Sequence, residues 1–497
     1  MGFGERRFLP MTFQKQHDLT SVEEDEILKK LLGGEVLFQG NSFPKPKAYW
    51  SDSRKVRPGD AFFALPGKNA DGHAFVPDAL RRGASLVFVE KNKQSILPSP
   101  LPEGCKIFLV KNTEEALRLL GKYRLSRLPL EKTLGITGSV GKTTTKNLLQ
   151  DLLSHWYPTY CTKESFNTSV GIDLSLASAP ENTRFLLLEF GANSFGEIRE
   201  LAGKYAPEIG IITDVAPAHT QGFSSLEGVL RAKLELAESP RMENLFFNED
   251  SPLLSSFFTS RGSFAYRPIP VGKKAHPSRG IAIHSAKVCL GTTPKMPFLL
   301  RSEVSLFGES LSFEAPFYCD HHVYACAFSL GVLKILGISL PHDVNDLFSS
   351  FQVPPGRGRI FLVSQGFFLF DESYNANPKS MESSLCNFRD LPLSGKRVLL
   401  LGGMKELGGY SKEAHLRTVS LFPSFEQILL LGEEWHTPEI RKYIEREKLS
   451  QRIVMLNSSK EASGYLRKLS LREGDALFVK GSRSYGLETV VEELRLW

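Results

Sequence analysis

The stretch GITGSVGKTTTK, Gly135 to Lys146, carries the residues whose spacing most directly implies chemistry. A strand-like run reaches Gly138, and Gly141-Lys142-Thr143-Thr144 opens a helical segment. Backbone N–H groups of Gly138, Ser139, Val140 and Gly141 can therefore converge on phosphate oxygens at the positive end of a helix. Lys142 supplies a mobile positive charge and Thr143 a hydroxyl for Mg²⁺, with Thr144 beside it. Only Ser139 and Val140 separate Gly138 from Gly141, where the usual phosphate loop has about four residues between its first glycine and the Gly-Lys pair. The pattern predicts nucleotide binding and leaves the fate of the nucleotide open.

Other candidates stand at strand ends. Glu189 closes the apolar run in RFLLLEF, and His219 follows the run that ends in ITDV. Open α/β sheets place ligands at the carboxyl ends of their strands. Thr143, Glu189 and His219 could thus hold two Mg²⁺ ions around a transferring phosphoryl group. A solvated strand-end charge at Glu189 and a structural role for His219 are the plainer alternatives.

The elements that must position these residues follow from pattern and length. A chain of 497 residues exceeds one ordinary core and suggests about three domains. The first, residues 1–128, is a small α/β unit with strands in SLVFVEK and KIFLVKN and a helix over TEEALRLLGKYR, whose Ala116, Leu117, Leu120 and Tyr123 share a face. The second, 129–350, alternates buried strands (TLGITG, RFLLLEF, EIGIITDV) with helices and predicts a parallel sheet covered on both faces. Its first helix should pack through Leu148, Leu149, Leu152, Leu153 and Trp156, and the stretch from Ser251 to Pro316 reads as β-rich. The third, 351–497, begins at FQVPPGRGRI and carries strands in RVLLLGG, QILLLGEE, RIVML and DALFVKGSR, a Rossmann-like pattern without GxGxxG.

Composition excludes several classes. A hydrophobic content of 41% with 23% charged residues is that of a globular chain, and no apolar run reaches the ~20 residues of a membrane span. The N-terminal residues lack a secretory pattern, so a cytoplasmic enzyme is expected. Six scattered cysteines with no CxxC pair indicate neither a zinc site nor disulfides. The net charge of +6 comes without a basic block, which argues against nucleic acid and suits anionic small substrates. EVLFQG, Glu35 to Gly40, resembles a protease-tag remnant but reads as native sequence.

Beyond these local patterns, the motifs TGSVGKTT, EFGANSFGEI, ITDVAPAH, LRAKLEL, FNEDSP, PPGRGR, DESYNANPKS, GGMKELGGYSKEAH and VKGSRSYGLE occur in the order found in the Mur ligase family, which the chain resembles over nearly its whole length. The resemblance implies three domains: a uridine-nucleotide-binding domain, a central ATPase domain and a C-terminal Rossmann-like domain. It also implies a monomer that uses ATP and Mg²⁺ to join an amine to a carboxylate through an acyl phosphate. SYNANP points to the members whose substrates are D-alanyl-D-alanine and a UDP-linked muramoyl tripeptide. In such a reaction Lys142 and His219 would act at the phosphoryl group, Arg357 would reach the ATP phosphates, Asn248 would lie near the adenine, and Asp371 or Glu372 would meet the ribose. Ser51, Asp52, Ser53 and Arg54, with the GKNADGH loop, would hold the uridine end. Asn167, Asn375, Asn377 and Arg483 would contact the peptide stem or the dipeptide, with a proline-terminated asparagine turn as the plainer role for the SYNANP pair. Lys233 would carry a carbamate and join Thr143, Glu189 and His219 as a magnesium ligand, whereas composition alone would leave it on the surface.

The chain departs from the family pattern at Thr168, Asp214, His322, Ala325, Glu372 and Gly403. These positions put individual contacts in question, not the reaction. Two other readings compete: a sibling or folylpolyglutamate-synthase-like ligase, and a phosphate-loop ATPase that drives a partner. The first conflicts with SYNANP and the uridine motif, and the second predicts turnover without substrates.

Overall fold

Apolar runs become buried strands here because helices cover both faces of the sheets they build. The computed structural model describes residues 29–38, 46–67, 70–216, 223, 225–293 and 296–496. Packing separates two units, one that ends at Leu128 and takes in Ser169–Glu181, and one that joins Pro129–Thr168 to the chain from Asn182 onward.

The first unit is built on a five-stranded sheet in the order Glu35–Phe38, Lys106–Val110, Leu86–Glu90, Ala61–Phe63, Tyr49–Trp50. Glu35–Phe38 pairs antiparallel with Lys106–Val110 and the others run parallel. The tag-like string therefore begins as an edge strand of this sheet. Helix Thr113–Arg127 starts at Asn112, whose side chain accepts from Glu115 N at 2.8 Å, and buries Ala116, Leu117 and Leu120 while Tyr123 stays half-buried. Helix Ser169–Ala177 belongs here although its sequence lies inside the central segment. A Cβ on Gly121 would come within 2.6 Å of Asp173 Oδ1, so the missing side chain is what lets the two helices approach. Arg124 and Glu181 pair at 3.4 Å across the same contact.

The second unit holds a nine-stranded and a six-stranded sheet. In the larger sheet Lys132–Thr137 lies parallel between Phe185–Glu189 and Ile209–Ile212, which brings Gly138, Glu189 and Thr213 to one sheet edge. Helix Lys142–Ser154 buries Leu148, Leu149, Leu152 and Leu153. Trp156, expected in that stripe, lies past the helix end and is 36% exposed. The expected parallel sheet is mixed instead: Ile281–Thr293, Met296–Leu306 and Glu309–Ala315 extend it as an antiparallel meander, joined by hairpins too short for a parallel crossover.

The smaller sheet runs Arg359–Leu362, Phe368–Glu372, Ala476–Lys480, Arg397–Gly402, Gln427–Leu431, Ile453–Leu456, parallel except for its first pair. The last four match the strands read from sequence. The hairpin that carries Asp371 and Glu372 was not foreseen. Among the described residues no helix is long and apolar enough to cross a membrane.

Candidate active site

The phosphate loop takes its shape from two glycines. Gly138 (φ +142°) and Gly141 (φ +85°) adopt conformations that side chains resist, and a Cβ on Gly138 would meet Thr213 Oγ1 at 2.1 Å. Thr213 fastens the loop by donating to Val140 O at 2.5 Å, and Ser139 N donates to Asp214 O at 2.9 Å. Gly141 opens helix Lys142–Ser154 with no side-chain cap, so the first N–H groups of that helix remain to meet an anion. Lys142 Nζ donates to Gly138 O at 2.6 Å and thus folds over the loop. Burial, reinforced by Arg357, holds its pKa below the usual lysine value.

Thr143 and Glu189 form the oxygen-rich centre. Thr143 Oγ1 donates to Glu189 Oε2 at 2.8 Å, and the carboxylate is buried. Burial alone would raise its pKa, but Lys146, Lys142 and Arg357 outweigh that and keep it below the ordinary carboxylate value. Lys146 Nζ stands 3.3 Å from Glu189 Oε2 with both side chains fully buried. Arg357 arrives from the PPGRGR turn and donates to Thr143 Oγ1 at 3.1 Å and Ser165 Oγ at 3.3 Å, with its guanidinium 3.9 Å from the Tyr374 ring centroid. It is bound to hydroxyls and a ring, not in the carboxylate bridge that a merely structural arginine would make.

Lys233 lies on helix Leu226–Leu234, started by Ser225 accepting from Gly228 N at 3.0 Å. It is buried, contrary to the surface fate expected from composition. Burial, then the charge of Lys142, lowers its pKa to about 7 against the opposing pull of Glu197 and Glu235. His219 lies outside the described residues.

One cavity of about 870 Å³ gathers the phosphate loop from Ser139 to Thr144 with Asn167, Glu189, Asn248, Arg357, Glu372, Asn375, Asn377 and Arg483. Asn248 Oδ1 accepts from Asp250 N at 3.0 Å, so it closes a turn while bordering the cavity. Glu372 is held by Lys480 at 2.6 Å, Ser384 at 2.7 Å and Tyr318; burial is outweighed by Lys480, and its pKa falls to about 2. Asp371 does not line the cavity: its carboxylate accepts from Gly356 N at 2.7 Å and Ser373 Oγ at 2.6 Å and so braces the turn that presents Arg357. Asn377 caps helix Pro378–Asp390, accepting from Ser380 N at 2.9 Å, and Asn375 Oδ1 accepts from Ala376 N at 2.9 Å. Arg483 is 60% exposed and stands 5.1 Å from the Tyr374 ring centroid, the ring that Arg357 also approaches.

Several departures acquire partners. Asp214 pairs with Lys379 at 2.6 Å. A side chain at Gly403 would collide with Glu434 Oε2 at 2.3 Å, because that carboxylate already fills the space, accepting from Tyr485 at 2.5 Å and pairing with Lys405. His322 and Ala325 border the cavity, whereas Thr168 is exposed and does not. Sequence reasoning missed Lys146, Ser165, Tyr374, Lys379 and Lys480; all but Ser165 lie inside motifs already singled out, Lys146 in GITGSVGKTTTK, Tyr374 and Lys379 in DESYNANPKS and Lys480 in VKGSRSYGLE. In the first unit, Asp52 accepts from Arg54 N at 3.0 Å and pairs with its guanidinium at 2.8 Å, Ser53 is buried against Asp78, and Ser51 is half-buried. Of the GKNADGH loop, Lys68 and Asn69 lie outside the described residues.

Three family models match in succession: the Mur ligase family catalytic domain at residues 50–122, the Mur ligase middle domain at 136–332 and the Mur ligase glutamate ligase domain at 358–483. The UDP-N-acetylmuramoyl-tripeptide–D-alanyl-D-alanine ligase of Haemophilus influenzae is 30% identical over 408 residues, 80% of this chain and 81% of that protein. The chain belongs to the Mur ligase family. The Bacillus subtilis ligase of the same name is 26% identical and covers 89% of this chain and 92% of its own length. Among solved structures, the MurF ligase of Thermotoga maritima in complex with ADP superposes with a TM-score of 0.69 at 25% identity, covering 92% of this chain and 99% of that one.

Proposed function

We propose that this chain is an ATP-dependent amide ligase that adds D-alanyl-D-alanine to a UDP-linked N-acetylmuramoyl tripeptide. The observation that carries the reading is a single cavity in which Lys142, the Thr143–Glu189 pair and Arg357 share walls with the SYNANP turn and Arg483. The relatives from Haemophilus and Bacillus, both UDP-N-acetylmuramoyl-tripeptide–D-alanyl-D-alanine ligases, suggest the substrates.

A carboxylate is a poor electrophile at neutral pH, so the stem carboxylate first takes the γ-phosphoryl group of ATP. The dipeptide amine then attacks the acyl phosphate, and the tetrahedral intermediate expels phosphate. Lys142 and Arg357 offset charge on the migrating phosphoryl group, and the open helix start at Gly141 adds backbone N–H donors. The shared cavity holds amine and acyl phosphate in attack range and limits the access of water, which would hydrolyse the intermediate.

The donor set at Thr143 and Glu189 fits magnesium: a hydroxyl and a buried, ionised carboxylate are oxygen ligands of the kind a hard cation takes. Magnesium, when bound, neutralises phosphoryl oxygens. Lys233 fits the carbamate role, because a buried amine with a pKa near 7 is neutral often enough at physiological pH to capture CO₂. Arg483 and the Asn375–Asn377 turn would hold the acceptor end, and Ser51 to Arg54 the uridine end.

Phosphate release measured with ATP alone, with either substrate and with both tests the reading. A ligase releases phosphate appreciably only when D-alanyl-D-alanine and the UDP-linked tripeptide are both present. Equal release without them would replace the ligase by a phosphate-loop ATPase.

A further inference from the structure

We propose that Cys319, His321 and His322 form a binding site for a zinc-like divalent cation in the wall of the active-site cavity. Their ligand atoms, one sulfur and one ring nitrogen from each histidine, lie within 4.8 Å of one another. All three come from one short stretch, in which Cys319 precedes the helical turn Asp320–His322 that leads into helix Val323–Ile335. The spacing Cys-x-His-His escapes the usual two-pair zinc patterns and becomes visible only when the turn is folded.

A second observation points to a ligand independently. His322 is 6% exposed, and its Nδ1 has no hydrogen-bond partner; buried polar atoms are nearly always satisfied. Its ring is fixed by stacking on Phe317, with centroids 4.4 Å apart. His321 Nδ1 stands 3.1 Å from Ser383 Oγ, an outer contact of the kind that orients metal-binding imidazoles. Burial keeps both histidines neutral, the form that ligates.

Two carboxylates, Glu372 and Asp320, and two ammonium groups, Lys480 and Lys379, act on these donors, and Lys379 is itself paired with Asp214 at 2.6 Å. Glu372 and Asp320 both act on the Cys319 thiol, and Lys480, which opposes them, is committed to Glu372 at 2.6 Å. Burial keeps that thiol protonated in the absence of metal. Binding converts Cys–SH and M²⁺ into Cys–S⁻–M²⁺ and releases one proton to solvent. Zinc holds its donors at about 2.0 to 2.3 Å, so tetrahedral ligands lie roughly 3.5 Å apart and these three need draw together by at most about 1.3 Å. Cys319 is buried behind the wall while His321 and His322 face the cavity, so the fourth position opens toward it. Sulfur and imidazole donors select against Mg²⁺, which keeps this site separate from Thr143 and Glu189.

Titration of the full chain with Co²⁺ in excess Mg²⁺ tests the proposal. One equivalent should bind with a thiolate-to-cobalt charge-transfer absorption, release one proton and be displaced by Zn²⁺. Cys319→Ser should lose that absorption, and His322→Asn should weaken Zn²⁺ binding by about 100-fold, at least what loss of an outer-shell partner costs. Circular dichroism checks each fold, and His322→Asn carries the test alone if the buried Cys319→Ser does not fold. Absence of the sulfur band in the wild type, including Co²⁺ bound through oxygen ligands only, or unchanged Zn²⁺ affinity in folded His322→Asn, overturns it.

Discussion

The two ends of the cavity are built on different principles. At the phosphate end Lys146 and Glu189 are buried, Lys142 and Arg357 are half-buried, and the four hold one another through direct bonds or charge. At the SYNANP end Asn375 and Asn377 spend their side-chain oxygens on a turn and a helix cap, and Arg483 stays exposed. A buried cation cluster is tolerable only with a carboxylate at its centre, so the phosphate end is organised by charge before any nucleotide arrives. The SYNANP end is organised by backbone geometry, and the side-chain oxygens of Asn375 and Asn377 act there as framework. Tyr374 joins the two, with guanidinium groups of Arg357 and Arg483 at 3.9 and 5.1 Å from its ring centroid.

The strongest way to break this contrast is Lys142→Ala. Loss of an electrostatic stabiliser of this kind should lower the ligation rate by about 10² to 10³ with the fold intact. Near-normal turnover in a folded variant would move phosphate stabilisation elsewhere.

Arg357→Lys keeps the charge but removes the Nη2 donor that reaches both Thr143 and Ser165 and the planar group that lies over Tyr374. One lost charge-assisted bond of about 1.5 to 3 kcal/mol should lower kcat/KM for ATP by roughly 10- to 100-fold. An unchanged value would show that charge alone suffices at this end.

Lys233 sharpens the comparison through pH. Its amine, lowered to about 7, is mostly protonated below that pH and mostly neutral above it, so capture of CO₂ grows as pH rises through 7. Between pH 6 and 8 the neutral fraction rises about tenfold. The rate at which a fixed concentration of dissolved CO₂ restores activity after depletion should follow that rise, and Lys233→Ala should be nearly inactive and regain activity with short-chain carboxylates. A restoration independent of pH would leave Lys233 as an unmodified buried cation.

The smallest effect belongs to Asn377. Asn377→Ala removes a helix cap and should cost about 1 kcal/mol of stability, while Asn377→Asp retains the cap. If the asparagine amide also reaches substrate, Asn377→Asp should raise KM for the dipeptide with ATP affinity unchanged. A parallel loss of ATP affinity would transfer the residue to the nucleotide end.

How much of this was legible in sequence varied with the range of the interaction. The glycine loop was readable because Gly138, Gly141 and Lys142 act through local backbone dihedrals. Glu189 was readable as a strand end, but Lys146 was not, since a lysine in a helix ordinarily lies in solvent. The motif left the ribose contact open between Asp371 and Glu372, because a motif fixes position and not direction; the carboxylate of Asp371 turns inward to Gly356, while Glu372 lines the cavity. Trp156 followed the helical period on paper, but the helix ends before it.

By itself the sequence determined the elements and the chemistry that a few consecutive residues can perform: the phosphate loop, the buried strands around it, the SYNANP turn. Tertiary structure alone decided which charges meet. Arg357 reaches Thr143 across 214 positions, Lys379 finds Asp214, and helix Ser169–Ala177 joins the first unit instead of the segment that encodes it. The physical reason is that hydrogen-bonded turns and hydrophobic periods repeat over a few residues and leave a pattern in the chain. A charge pair made by two sheet edges coming together leaves none, because its cost and its compensation are both set by burial.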